Sequence, residues 1–202
     1  MKLYLVRHGE KEGWDRDSPL AEIGVEQVKR LGKELKNKRI DKIYCSTWLR
    51  AKQTMDILKS DLGKISTEYT EKIREHDHGD VRTREELEKK MVETGLTEYE
   101  FKPSNGESFF DLEKRAQNFL NYLKRSHPKE DILLISHGRF LGLLILRALN
   151  LSINELKFFN LHEASLSTLS FDDSLKLKEF HIDENSHLVK YSSYERGVLK
   201  KI

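Results

Sequence analysis

Short runs of apolar residues alternate along the chain with longer segments in which apolar residues recur every three or four positions. The short runs have the length of buried strands, and they are residues 3–6, 42–45, 65–69 and 131–135. The longer segments have the period of helices, and they lie at about residues 20–38, 49–59, 112–123 and 140–149. This alternation predicts a mostly parallel sheet covered on both faces by helices.

Two segments depart from this pattern. Residues 84–94 predict a helix with few apolar anchors, chiefly Leu87 and Met91, and we expect it on the surface. Residues 165–171 and 175–182 alternate apolar and polar side chains, which predicts a β-hairpin near the carboxyl terminus. No repeat or low-complexity linker divides the chain. We therefore expect one α/β domain over residues 1–202, a three-layer αβα sandwich with a mostly parallel central sheet.

Composition narrows the class of protein. A chain of 202 residues is long enough to bury a core without disulfides or metals. Its 36 basic and 34 acidic side chains give a net charge of +2, so neither a nucleic-acid nor a membrane partner is indicated. The single cysteine, Cys45, lies in an apolar run, and we interpret it as a reduced core thiol.

The expected location is the cytoplasm. His8 follows Met1 too closely for a cleaved leader to leave it in place, so no signal peptide is predicted. The longest strongly apolar stretch, residues 140–146, is too short to cross a bilayer.

Candidate chemistry lies where two predicted strands end. Arg7-His8-Gly9 follows residues 3–6, and Ser136-His137-Gly138 follows residues 131–135. Ligands of mostly parallel sheets bind at the carboxyl ends of the strands. Two histidines and an arginine at that edge indicate chemistry on an anion, and they favour a phosphoryl group.

The residue types fit a covalent mechanism. A neutral His8 can attack phosphorus and carry the phosphoryl group as an intermediate. Arg50, expected near the amino terminus of a helix, can grip two phosphate oxygens, and His137 can donate to the others. Glu75 is a candidate proton donor to the departing alkoxide and base for the attacking water. Gly9, lacking a side chain, lets the backbone approach the ligand closely.

These segments resemble the histidine phosphatase superfamily, the phosphoglycerate-mutase-like proteins. The resemblance covers nearly the whole chain and keeps the family's order of motifs. The matching segments are Arg7-His8-Gly9, residues 46–54, residues 73–79, Gly106-Glu107-Ser108 with Arg115, and Ser136-His137-Gly138. The resemblance implies that His8 is phosphorylated, that Arg7, Arg50 and His137 form the phosphate pocket, and that Glu75 is the acid and base. It also implies that neither a metal nor a cofactor is needed, since protein cations take that role.

The chain also departs from the family pattern. Mutases and many relatives follow Arg-His-Gly with a threonine or serine and then an asparagine, whereas here the next residues are Glu10-Lys11-Glu12. The paired arginines and the long insertion of the mutases are not recognisable, and Arg82 and Arg84 lie outside a matching motif. These absences favour a phosphatase that acts on a small phosphorylated metabolite. A phosphoglycerate-type mutase, a protein phosphatase and a non-catalytic phospho-ligand binding protein stay open as alternatives.

Several residues have a structural interpretation beside the functional one. Ser104 and Glu107 fit a Ser-x-x-Glu capping box, and Arg115 fits a packing or ion-pair role. The spacing of His76 and His78 is too weak to predict a metal site. We expect these two histidines, with Lys11 and Trp14, to shape access to the substrate. Gly138 is expected beside Gly9 in the phosphate site, and the oligomeric state is left open, a homodimer included.

Overall fold

One mixed sheet forms the centre of the molecule. The computed structural model describes residues 1–13, 15 and 17–188, without the side chains of residues 157 and 158. Within these residues the strands are β1 (Lys2–Arg7), β2 (Lys42–Ser46), β3 (Thr67–Thr70), β4 (Asp131–Ser136), β5 (Leu166–Phe171) and β6 (Leu177–Glu184). Their order across the sheet is β3-β2-β4-β1-β5-β6. The pairs β3-β2, β2-β4 and β4-β1 are parallel, whereas β1-β5 and the predicted hairpin β5-β6 are antiparallel.

Helices cover both faces of the sheet, as the alternating pattern predicted. They are α1 (Glu22–Leu35), α2 (Leu49–Leu62), α3 (Arg84–Thr94), α4 (Phe109–Ser126) and α5 (Gly138–Leu149). Successive strand residues point to opposite faces, so Leu3 and Leu5 of β1 pack with α4 and α5. Tyr4 and Val6 pack with α1 and α2 instead. The three-layer αβα arrangement is therefore confirmed.

The surface helix and the core thiol also match their predictions. The helix α3 contributes no buried residue. Cys45 is fully buried between β2 and the α1-α2 layer, and burial raises the pKa of its thiol to about 12. A thiol with such a pKa is not a nucleophile near neutral pH.

The predicted capping box at Ser104 and Glu107 is wrong. The helix α4 begins at Phe109, and its capping box joins Ser108 and Asp111, each side chain accepting from the other's backbone N–H. Asn105 lies between the two predicted partners with a φ of 56°, which is incompatible with an α-helix. Residues 103–106 instead form a turn, closed by the Gly106 N–H donating to the Pro103 carbonyl.

Parallel pairing brings three strand ends to one edge of the sheet. Arg7 of β1 lies beside Ser136 of β4, and β2 ends at Ser46 on the other side of β4. The His8 N–H donates to the Ser136 carbonyl at 3.0 Å, which continues the ladder into the first histidine turn. None of the helices in the described ranges combines the length and apolar character that a membrane span requires.

Candidate active site

His8 is held in one tautomer by two fixed partners. The side chain is only 2% exposed. Its Nδ1 lies 2.7 Å from the Gly9 carbonyl, and its Nε2 lies 2.8 Å from Nε of Arg50. A carbonyl only accepts and a guanidinium only donates, so Nδ1 carries the proton and Nε2 keeps its lone pair. The nitrogen able to attack an electrophile is therefore Nε2.

The surroundings of His8 keep the ring neutral. Burial, followed by the charges of Arg50 and Arg7, lowers the pKa of His8 well below its ordinary value of 6.5. The same cations that suppress a charge on the ring attract a phosphate dianion. His8 is thus neutral, with the Nε2 lone pair that a nucleophile requires, and it lies beside cations of the kind that attract phosphate.

His8 lies at the wall of a cationic cavity of about 380 Å³. Arginine and lysine side chains line this cavity beside His8, and they are Arg7, Lys11, Arg50, Arg82 and Arg139. Asp15 and Glu75 are the acidic side chains among its lining residues in the described part of the chain. The excess of positive charge fits a multiply charged anion better than a neutral ligand.

Arg50 is positioned by the amino terminus of α2. It is the second residue of that helix, and its guanidinium lies 4.6 Å from the centre of the Trp48 ring. Burial lowers its pKa to about 10, so the side chain is still charged near neutral pH. Backbone N–H groups in the first turn add to the attraction for an anion.

Arg7 is fixed by contacts from a distant part of the chain. Its guanidinium donates to the Leu161 carbonyl and forms an ion pair with Glu163. Its Nε is buried and has no hydrogen-bond partner among the described residues. The sequence offered no signal for Glu163, because 156 residues separate it from Arg7.

His137 lies behind His8 and is fully buried. The two ring centres are 5.1 Å apart, and Nε2 of His137 lies 2.7 Å from Oγ of Ser46. The Ser46 hydroxyl, which also accepts from the Trp48 N–H at 3.4 Å, can either donate to Nε2 of His137 or accept from it. Nδ1 of His137 is buried and has no hydrogen-bond partner among the described residues. Its expected donation to phosphate stays a prediction.

Glu75 lies at the amino terminus of α5. Its Oε1 accepts from the Phe140 N–H at 3.1 Å, and its Oε2 accepts from the Arg139 N–H at 3.2 Å. Burial would raise the pKa of the carboxyl, but the Arg139 charge and the N–H donors of Arg139 and His76 outweigh it, so the pKa lies below its ordinary value. A phosphate dianion in the cavity would push this pKa upward, toward a proton donor.

Arg115 holds the Glu75 segment in place. It donates to the Arg74 carbonyl at 2.8 Å and to the Glu75 carbonyl at 3.2 Å. Its ion pair with Glu107 spans 2.5 Å, which confirms the ion-pair interpretation of this arginine. Ser136 adds a hydrogen bond of 2.6 Å to the Ile73 carbonyl and so ties the segment to the end of β4.

The two glycines of the histidine turns differ in how closely other atoms approach them. A Cβ on Gly9 would lie 2.6 Å from the Gly24 carbonyl oxygen, so this glycine allows β1 and α1 to approach. A Cβ on Gly138 would lie 3.4 Å from Arg7, and Gly138 lines a second cleft described below. The predicted contact of both glycines with substrate stays a prediction. Trp14 lies outside the described residues.

His76 and His78 line the cationic cavity, where an access-shaping role was predicted. Burial is the main cause that lowers the pKa of each ring to about 4, so both are neutral near pH 7. His76 packs at 4.4 Å on Phe109 and lies 2.8 Å from the Glu107 carbonyl. In the described part of the chain, no group of three or more histidine, cysteine or acidic side chains is arranged to hold a metal ion.

Arg139 was not singled out from the sequence. It follows Gly138 directly, and its guanidinium lines the cavity while its N–H binds Glu75. Its place in the first turn of a helix after a histidine turn was a usable signal, since a cation there faces the same crevice.

The lowered pKa of Lys11 predicts a pH dependence of substrate binding. Burial, followed by the charges of Arg50 and Arg7, lowers its pKa to about 8, so the ammonium is charged below that pH and neutral above it. We therefore expect KM for a phosphate monoester to rise between about pH 7 and about pH 9 while kcat changes less. Lys11→Met should raise KM about tenfold at pH 7, the effect of one charge-assisted hydrogen bond.

The matched control for this prediction is Lys11→Arg, because an arginine keeps its charge through this range. Steady-state kinetics of the three proteins at several pH values make the comparison. A wild-type KM that is flat across the range, together with an unchanged KM in Lys11→Met, would contradict the role of Lys11.

Comparison with known proteins places the chain and its fold in one family. A family model described as the histidine phosphatase superfamily (branch 1) matches residues 3–182. A 2,3-bisphosphoglycerate-dependent phosphoglycerate mutase from Parvibaculum lavamentivorans is 30% identical over 210 residues, covering 92% of this chain and 98% of that protein. An adenosylcobalamin/alpha-ribazole phosphatase from Salmonella typhimurium is 28% identical over 184 residues, covering 84% of this chain and 90% of that protein.

A solved structure supports the same placement. The crystal structure of a putative alpha-ribazole-5'-P phosphatase from Escherichia coli K-12 superposes with a TM-score of 0.81 at 25% identity. The superposition covers 93% of this chain and 97% of the other. The chain therefore belongs to branch 1 of the histidine phosphatase superfamily.

Proposed function

We propose that the protein is a phosphomonoesterase that hydrolyses a small phosphorylated metabolite through a phosphohistidine on His8. The observation that carries the proposal is the state of His8, a neutral ring whose Nε2 lone pair faces Arg50 at the wall of a cationic cavity. The proposal includes no metal and no cofactor, because the arginines and Lys11 supply the positive charge.

In the first step Nε2 of His8 attacks phosphorus and the bond from phosphorus to the ester oxygen breaks. Arg50, Arg7 and Lys11 neutralise the charge on the other phosphate oxygens. The Arg50 N–H that donates to Nε2 of His8 donates instead to a phosphate oxygen as the new bond forms. Glu75, protonated under the influence of the dianion, gives its proton to the departing alkoxide, and the alcohol leaves.

In the second step water replaces the alcohol. The Glu75 carboxylate takes a proton from water, whose oxygen attacks phosphorus as the bond to Nε2 of His8 breaks. Inorganic phosphate then leaves, and the ring returns to the neutral form with its proton on Nδ1. Glu75 thus acts as acid in one step and as base in the other.

A mutase is the second candidate, because several relatives at 29–30% identity are phosphoglycerate mutases. The departures at Glu10-Lys11-Glu12 favour hydrolysis instead, and alpha-ribazole phosphatases are also among the relatives. The two activities differ in the fate of the phosphoryl group. A mutase moves it between positions of phosphoglycerate in the presence of the bisphosphate, whereas a phosphatase releases inorganic phosphate.

Hydrolysis of p-nitrophenyl phosphate tests the proposal. We expect steady release of inorganic phosphate that persists in the presence of a metal chelator. Wild type that releases no phosphate from any monoester, but interconverts the phosphoglycerates, would replace the phosphatase with the mutase. Absence of both reactions, with phosphate binding retained, would indicate a binding protein.

Glu75→Gln separates the acid role from substrate binding. We expect it to lower kcat about 10³-fold for an alkyl phosphate, whose alkoxide needs a proton in order to leave. For p-nitrophenyl phosphate the expected loss is about tenfold, because that leaving group scarcely needs protonation. Equal losses of kcat on both substrates would count against Glu75 as the acid.

A further inference from the structure

A second cleft opens on the other side of Glu75. It has a volume of about 390 Å³ and shares the side chains of Arg7, Glu75 and Arg139 with the cationic cavity. The carboxylate proposed as the proton donor therefore lies on the boundary between two adjoining chambers. When the ester bond breaks beside Glu75, one chamber is available for the phosphoryl group and the other for the alcohol.

The second chamber has more aromatic and aliphatic residues in its lining than the first. Beyond the shared walls these residues are Tyr99, Phe109, Leu156, Phe159 and Leu161, and Glu98, Gly138 and Asn160 complete the lining. The Tyr99 and Phe109 rings meet at 5.8 Å, and the Arg139 guanidinium lies 5.1 Å from the centre of the Phe109 ring. We call this chamber the apolar cleft.

The charges at the apolar cleft are already balanced. Arg139 lies 3.6 Å from the Glu98 carboxylate, which also lines the cleft. Arg7 forms its ion pair with Glu163. With Glu75 included, the lining of the cleft holds two arginines and two carboxylates, whereas the cationic cavity holds five cationic side chains and two acidic ones. The cleft therefore offers less attraction for a second anionic group than the cavity does.

The segment that carries Leu156 and Phe159 is packed closely on α5. A Cβ on Gly142 would lie 3.0 Å from Leu156 and 3.7 Å from Phe159, so the glycine allows this approach. Phe159 is 8% exposed and Leu161 is 2% exposed, so this wall is built into the core and does not project from it. A preformed apolar surface of this kind binds apolar groups without a cost for ordering the wall.

We propose that the apolar cleft binds the alcohol part of the substrate, which is therefore a phosphate monoester of an alcohol with an aromatic or aliphatic body. The inference rests on the proposed function, since it takes the cationic cavity as the site of the phosphoryl group. The ester oxygen then lies beside Glu75, where it is protonated as the alcohol departs into the cleft. The alternative is a substrate with a second anionic group, held by Arg82 in the cationic cavity.

Binding of phosphonates tests the inference without requiring turnover. Isothermal titration compares methylphosphonate, 3-phenylpropylphosphonate and phosphonoacetate, which share a head group that cannot be hydrolysed. We expect 3-phenylpropylphosphonate to bind at least about tenfold more tightly than methylphosphonate, the discrimination typical of an apolar pocket. Phosphonoacetate should bind no more tightly than methylphosphonate.

Variants locate the preference in the apolar cleft. Leu156→Ala and Tyr99→Ser should each reduce the ratio of the two affinities several-fold and leave the affinity for methylphosphonate unchanged. Ile153→Ala is the matched control, because Ile153 lies in the same short helical segment, Ile153–Phe158, and packs on the core without lining the cleft. The preference of the wild-type protein is informative even if a variant fails to fold.

Two results would overturn the inference. One is tightest binding of phosphonoacetate with loss of that affinity in Arg82→Ala, which would assign a second anion to the cationic cavity. The other is equal affinity for all three phosphonates. If the phenylpropyl preference holds but 3-phenylpropyl phosphate is not hydrolysed, the apolar cleft stands as a binding site and the proposed phosphatase activity fails.

Discussion

His8→Ala is expected to lower kcat for phosphate monoesters by about 10⁴-fold or more, the loss that follows removal of a catalytic nucleophile. The reason is that no other described residue at the cavity presents an unprotonated nitrogen beside Arg50 as Nε2 of His8 does. A factor of 10⁴ corresponds to about 5.4 kcal/mol of activation free energy. Assays of p-nitrophenyl phosphate and an alkyl phosphate measure the loss, which should be large for both.

The binding of inorganic phosphate distinguishes this loss of kcat from a general disruption of the site. The cations of the cavity are still present in His8→Ala, so inorganic phosphate should bind within a few-fold of its wild-type affinity. Thermal unfolding of the variant shows whether the fold is retained. A folded His8→Ala protein that keeps more than about one per cent of wild-type kcat would contradict the assignment of His8 as the nucleophile.

Arg50→Met is expected to lower kcat/KM by about 10³-fold or more, since it removes a buried cation from the oxygens that carry charge in the transition state. It should also change the pH profile. After burial, the Arg50 charge is the largest cause of the low pKa of His8, so its removal raises that pKa. The acid limb of kcat/KM therefore moves to higher pH in Arg50→Met, because His8 is protonated over a wider acidic range.

Two further variants test whether the charge of Arg50 causes the shift of the acid limb. Arg50→Lys keeps the positive charge but cannot bind two phosphate oxygens at once as a guanidinium does. It should therefore leave the acid limb near its wild-type position and recover only part of the lost kcat/KM. Lys52→Met removes the same charge from an exposed position on the same helix, α2, and should change neither property. An acid limb in Arg50→Met that coincides with the wild-type limb would contradict the electrostatic account of His8.

The parallel sheet made the centre of the site predictable. The strand ends of β1, β2 and β4 must meet at one edge, so Arg7, His8, Arg50 and His137 were expected together and are found together. Periodicity also indicated the helices, although α1 begins at Glu22, later than expected. The chain before it is occupied by a bridge between Lys11 and Leu20.

Contacts between distant segments were not predictable in the same way. The ion pair between Arg7 and Glu163 forms because the fold brings that one of 34 acidic side chains to the arginine. Local sequence does not encode which acidic side chain it is. The hydrogen bonds to the Glu75 carboxylate come from backbone N–H groups of α5, which point together toward one acceptor only when the helix has formed. The apolar cleft arises from side chains between Tyr99 and Leu161 that share no motif.

Gly9 illustrates a related difference. The position of Gly9 after a candidate nucleophile suggested a close approach of the backbone to a ligand. The structure shows a close approach of another kind, because Gly9 packs against Gly24 and Val28 of α1. A glycine in a sequence indicates that something approaches the backbone, but only the fold decides whether that neighbour is a ligand or a helix.

Trapping the covalent intermediate tests the central claim most directly. The protein is mixed with p-nitrophenyl phosphate, quenched in alkali, which preserves phosphohistidine, and digested for peptide mass spectrometry. We expect one phosphoryl group on the peptide that contains His8, its disappearance in His8→Ala, and its accumulation when the water step is slowed in Glu75→Gln. Turnover by the wild-type protein with no phosphoryl group on His8, or with the label on another residue, would contradict the account.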